Sequence, residues 1–204
     1  NRYMQTSRRL FTYFHPAAYA LSLDLQREKR VFSGTVAIRG HKMTDKDTVI
    51  LHARDLKVTD VQVDDTVVPY KQSNDEVEIQ ANLVAGIYTL KLWFEGAITD
   101  PMHGLYPCYF EVSNVKKELL ATQFESHHAR EVFPCIDEPE AKATFDLTLT
   151  TEPDVTVLSN MPMRSRSKVA EGRWKTRFHT TPKMSSYLLA FVVGELQMQT
   201  AKTS

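Results

Sequence analysis

The densest run of side chains able to do chemistry lies between Ala121 and Phe145. On a stretch with strand character, alternation puts Gln123 and Glu125 on one face and Thr122 and Phe124 on the other. An amide and a carboxylate side by side at a strand end can hold a cation that carries its own hydrogen-bond donors, such as an ammonium. The same pattern also fits a solvated polar face on a half-buried strand, which is common in antiparallel sheets. A few residues on, Arg130 and Asp137 flank the apolar turn Phe133-Pro134-Cys135. Paired, they would hold that turn shut through charge-assisted hydrogen bonds; unpaired, they would be two exposed charges of little energetic weight. Their expected role is architectural.

Other catalytic constellations are missing. A zinc hydrolase would show His-Glu-x-x-His, with two imidazoles on one helical face and a general base between them. The seven histidines are His15, His41, His52, His103, His127, His128 and His179, and none opens that motif. The adjacent side chains of His127 and His128 diverge on a strand or a helix alike, so the pair is read as structural or surface histidines. No metal site and no catalytic residue is expected in this segment. A Gly-x-Ser-x-Gly elbow and a phosphate-cradling glycine-rich loop are also absent.

The elements that must position these residues are strands. Tyr19, Leu21, Leu23 and Leu25 alternate with small or polar residues, and Phe32, Gly34, Val36 and Ile38 repeat the pattern after a polar stretch, which predicts a hairpin. Tyr88, Leu90, Leu92 and Phe94 give the cleanest alternation, between Gly86 and Gly96. Further strands are expected at 49–53, 56–63, 67–70, 77–80, 119–125, 143–151, 155–158, 173–178 and 187–195. Turn residues punctuate them, as at Pro153-Asp154, Glu171-Gly172 and Thr181-Pro182. Helical candidates are short, at 126–130 and near 138–142. The expected fold is all-β, a mostly antiparallel multi-sheet sandwich with one or two very short helices. With no convincing repeat or low-complexity linker, residues 1–204 read as a single β domain.

Composition narrows the partners. Lys plus Arg and Asp plus Glu each number 25. That neutrality argues against nucleic acid or an anionic membrane as the main partner. The apolar run at 187–193 is far short of the roughly 20 residues a spanning helix needs, so no membrane span is expected. The first residues show no apolar signal region after their basic side chains. Two cysteines, Cys108 and Cys135, are too few for a disulfide scaffold; they point to free thiols in a reducing, cytoplasmic compartment.

One resemblance joins these observations. Thr122-Gln123-Phe124-Glu125, Ala129-Arg130, Phe133-Pro134-Cys135-Ile136-Asp137-Glu138-Pro139 and Lys142-Ala143-Thr144-Phe145 reproduce, with spacing intact, a run that resembles the gluzincin zinc aminopeptidase family. That family includes aminopeptidase N, the puromycin-sensitive aminopeptidase and the leukotriene hydrolase, and the likeness is to its N-terminal domain. Gly104-Leu105-Tyr106, Ser159-Asn160-Met161-Pro162 and Met184 through Phe191 are similar too. The resemblance implies a saddle-like β domain, the N-terminal part of a longer multidomain chain, packed on a catalytic domain of the same chain. It implies a zinc-polarised water that removes N-terminal residues from peptides, with zinc in the following domain and no cofactor in this one. It also implies that this segment alone is inactive. By the same analogy Glu125 would bind the free α-amine of a peptide, and Gln123 would line the pocket for its first side chain. Arg130, Asp137 and Glu138 match motif positions and are read as supporting the fold. Two departures stand out: Pro107-Cys108 replaces the usual Arg-Ser, and His128 stands where the family often has Asp. The alternatives are a non-catalytic relative serving as a protein-interaction scaffold, and a free-standing sandwich that binds peptides or sugars.

Overall fold

The computed structural model describes residues 8–195, and the start of the chain, read above for a signal region, lies outside them. Among the described residues, fifteen strands form three sheets. The first eight in chain order are β1 (Phe14–Gln26), β2 (Val31–Lys42), β3 (Ile50–His52), β4 (Leu56–Val63), β5 (Thr66–Val67), β6 (Tyr70–Gln72), β7 (Glu76–Ile79) and β8 (Gly86–Ala97). Then come β9 (Gly104–Val112), β10 (Val115–Gln123), β11 (Thr144–Thr151), β12 (Thr156–Ser159), β13 (Met163–Ala170), β14 (Arg173–Phe178) and β15 (Phe191–Gly194). The large sheet runs β13-β14-β11-β1-β2-β8-β4-β5; a four-stranded sheet runs β12-β15-β10-β9; and β3-β7-β6 makes a third. All pairings are antiparallel except β1 with β11. The architecture is the all-β sandwich the alternation predicts.

Register turns the alternating apolar residues into rows across the large sheet. Phe145, Tyr19, Ile38, Leu90 and Val63 lie abreast, and Leu147, Leu21, Val36, Leu92 and Val61 form the next row. All ten are buried. In the third row, Leu149, Leu23, Gly34, Phe94 and Val58, the glycine makes room for its neighbours. A Cβ on Gly34 would come within 2.8 Å of a Leu23 methyl and 3.0 Å of the Phe94 ring. Burial at about 25 cal/mol per Å² of apolar surface makes these rows the main source of stability.

Three differences from the sequence expectation have physical reasons. Strand β13 carries no signal in the sequence, because all eight of its residues are exposed and it shows no apolar alternation. It pairs only with β14, at the margin of the large sheet. Likewise β9 lies in a stretch of mixed polarity and is fixed by its pairing with β10. The strand expected at 187–195 is broken: Ser186–Leu188 is a 3-10 turn, and only Phe191–Gly194 pairs. Asn160 causes the break, since its amide donates to the Leu188 carbonyl at 2.9 Å and accepts from the Ala190 N–H at 2.8 Å. Of the two helical candidates, 126–130 becomes the 3-10 turn Ala129–Glu131, while 138–142 is a non-helical turn. A third 3-10 turn, Leu10–Thr12, precedes β1.

Candidate functional site

Strand β10 ends at Gln123, opposite Gly104 at the start of β9. Past it the chain keeps alternating without a ladder. Thr122 Oγ1 accepts the Phe191 N–H at 3.0 Å, Phe124 is buried, and both Gln123 and Glu125 are exposed. Phe124 sets this orientation: its ring meets Phe133 edge-on at 6.1 Å, and Phe133 in turn meets Phe145 and Tyr19. Tyr19 stacks on Phe145 at 4.7 Å, tying the run to the rows of the large sheet. With Phe124 fixed inward, the side chains on either side of it face solvent. Gln123 Oε1 also accepts the Glu125 N–H at 3.2 Å, which folds the amide toward the residue carrying the carboxylate. The Glu125–Ser126 peptide bond is cis.

Arg130 and Asp137 meet. The Arg130 Nε donates to Asp137 Oδ2 at 3.1 Å, its backbone N–H reaches the same oxygen at 3.3 Å, and Nη2 donates to the Asp137 carbonyl at 3.3 Å. Asp137 Oδ1 accepts from the Ser186 hydroxyl at 3.1 Å. The carboxylate is 1% exposed, so the pair is the buried arrangement rather than two loose charges. Glu138 accepts the N–H groups of Leu10 and Phe11 at 2.9 and 2.8 Å, satisfying the opening of the 3-10 turn at Leu10–Thr12.

Sequence reasoning passed over His52. It sits in β3, exchanges backbone hydrogen bonds with Cys135, and accepts the Asp137 N–H on Nδ1 at 3.0 Å. Burial, aided by the nearby Arg130 charge, pushes its pKa from 6.5 down to about 3, so the ring is neutral and its proton sits on Nε2. Only its lone position in a β pattern could have flagged it. The Tyr19 hydroxyl accepts the Ile136 N–H at 3.1 Å. Neither cysteine is bonded to the other. Cys135 is fully buried, and burial raises its thiol pKa well above the ordinary value, with the Asp137 charge adding to the effect. A thiol so held is a poor nucleophile.

The Asp-to-His departure at 128 has a local answer. His128 Nδ1 lies 3.0 Å from Glu131 Oε2, and His103 Nδ1 lies 2.8 Å from the same oxygen. The two rings stack at 4.4 Å. His127 is exposed and does not join this group. A surface cleft lies elsewhere, toward the opposite end of β10, where Arg27 pairs with Glu152 and Arg30 with Glu118. No helix among the described residues is long and apolar enough to cross a membrane.

Residues 15–188 match the family described as the Peptidase M1 N-terminal domain. The chain is 44% identical over 195 residues to an aminopeptidase N of Lactococcus lactis subsp. lactis, covering 93% of this chain and 22% of that protein. To an aminopeptidase N of Lactobacillus delbrueckii subsp. lactis it is 41% identical over 200 residues, covering 96% and 23%. To a puromycin-sensitive aminopeptidase of Caenorhabditis elegans it is 36% identical over 207 residues, covering 96% and 22%. The chain therefore spans under a quarter of the length of these relatives.

Proposed function

The chain belongs to the Peptidase M1 N-terminal domain family, and from that premise we propose that it forms one wall of the substrate cleft of a zinc metallo-aminopeptidase. In this reading residues 1–204 are a single β domain at the N-terminal side of a longer chain, whose catalytic domain completes the cleft. The whole protein removes N-terminal residues from peptides, acts in the cytoplasm, and loses that activity when reduced to this segment. The family's zinc motif does not fit the residues here, since no histidine opens a His-Glu-x-x-His. Hydrolysis itself is therefore assigned to parts of the protein outside this chain.

The task of this domain is recognition. Glu125 presents a carboxylate to a substrate ammonium, whose three N–H groups and positive charge match an anionic acceptor. Gln123 lines the pocket for the first side chain, and Arg130, Asp137 and Glu138 keep the loop behind them in shape. Holding the amine at a fixed point fixes the distance to the first peptide bond, which accounts for the removal of single terminal residues. The observation that carries this reading is the exposure of Gln123 and Glu125 on either side of buried Phe124, at the end of a strand rather than in its middle.

The test is Glu125→Ala in the full-length protein. It should lower kcat/KM for aminoacyl substrates at least tenfold, about 1.4 kcal/mol of lost recognition. An unchanged kcat/KM would sink the assignment.

A further inference from the structure

The group made by His103, His128 and Glu131 has the composition and spacing of a metal site. We propose that it binds one zinc ion, through Nδ1 of each histidine and Oε2 of the glutamate. One ligand atom from each of the three residues lies within 4.8 Å of the others. Two imidazoles and one carboxylate are a known three-ligand zinc set, leaving a fourth position for water or an exogenous ligand.

The geometry is close to what an ion would need. At metal–ligand distances of about 2.0–2.2 Å and tetrahedral angles, neighbouring ligand atoms lie about 3.3 Å apart. The two Nδ1 atoms are 2.8 and 3.0 Å from Oε2, so entry of zinc requires them to spread by a few tenths of an ångström. The histidines can supply that movement, because their side chains are 41% and 29% exposed. Glu131 is the fixed member at 10% exposure. It lies over Gly104, whose φ of +68° suits glycine and where a Cβ would approach Oε2 to 3.0 Å. Solvent reaches the site from the histidine side, which gives the ion a path in.

The three ligands come from two stretches that flank the Gln123–Glu125 rim. His103 precedes β9, whose first residue pairs with Gln123. His128 donates its backbone N–H to the Phe124 carbonyl at 2.9 Å, and Glu131 closes the 3-10 turn that follows. A bound zinc would thus tie the start of β9 to the turn after the rim. Without an ion, both imidazoles can donate Nδ1–H to the one carboxylate oxygen; zinc replaces those hydrogen bonds with coordination.

The experiment compares full-length wild-type protein with His103→Ala, His128→Asn and the neighbouring control His127→Ala, each dialysed against the same micromolar free zinc. Elemental analysis should show one zinc fewer per chain in His103→Ala and His128→Asn than in wild type or His127→Ala. A second measurement needs no variant: zinc should slow carbethoxylation of His103 and His128 in the wild-type protein and leave exposed His127 unaffected. Equal zinc content in all four proteins, or equal modification of the three histidines with and without zinc, would overturn the site. Neither readout involves peptide hydrolysis, so the ammonium-binding role of Glu125 stands or falls separately.

Discussion

The backbone N–H of Asp137 donates to Nδ1 of His52 at 3.0 Å, and that bond requires the imidazole to be neutral. It joins β3 to the loop behind the Gln123–Glu125 rim, beside the backbone exchange between His52 and Cys135. A protonated His52 would face the N–H with a second donor and bring a positive charge toward Arg130.

Acid should therefore loosen this joint. The unfolded imidazole protonates near 6.5 and the folded one only near 3, so the unfolded chain binds more protons between those values. The stabilisation is complete above the unfolded pKa and declines as pH falls through the window. Urea unfolding should show a loss of roughly 2 kcal/mol from this group by about pH 5. His52→Asn, which keeps an acceptor for the Asp137 N–H but does not titrate, should flatten the acid slope; an unchanged slope would assign it to other groups.

Removing one partner of the Arg130–Asp137 pair should be costly. Arg130→Met leaves a carboxylate that is 1% exposed without its counter-ion. Breaking a buried pair in this way typically costs about 3–5 kcal/mol, read as a lower midpoint in urea. Cutting the exposed Lys168–Glu171 pair by Lys168→Met should leave the midpoint where it is.

Gln123 and Glu125 should separate kinetically. With Glu125 on the ammonium and Gln123 beside the first side chain, Gln123→Ala in the full-length protein should change the ranking of substrates that differ in that side chain. A change of about 1 kcal/mol, roughly five- to tenfold in relative kcat/KM, is the expected scale. An equal reduction for all substrates would instead give Gln123 a share in holding the amine, through its bond to the Glu125 N–H.

The cysteines should differ in reactivity. Cys108 is partly exposed and Cys135 is fully buried with a raised pKa. A thiol reagent should label Cys108 in the native protein and reach Cys135 only after denaturation. Rapid native labelling of Cys135 would mean that the loop around it opens.

Much of this fold could be read from side-chain alternation, and the reasons lie in particular residues. Leu21, Leu23, Leu90 and Leu92 announce their strands because one face of each is buried against the sandwich core. Strand β13 could not announce itself, since Arg164, Arg166 and Lys168 sit on a strand that buries neither face. The break at Leu188–Ala190 depends on Asn160, a residue distant in sequence, so no local pattern could reveal it. The same limit applies to the site. Gln123 and Glu125 stand two apart and are visible as a pair, whereas His103 and Glu131 meet only after β9 and β10 have paired. His52 looked like any other histidine until Asp137 was folded against it.

The parallel pairing of β1 with β11 has a consequence for how the chain is made. Strand β1 must wait, with one flank open, until the residues from Thr144 onward have been produced. During translation β1 and β2 can zip together early, but Tyr19, Leu21 and Leu23 gain their neighbours Phe145, Leu147 and Leu149 only late. A ribosome that stalls before Thr144 would therefore release a nascent product with a sticky apolar flank, a natural client for chaperones.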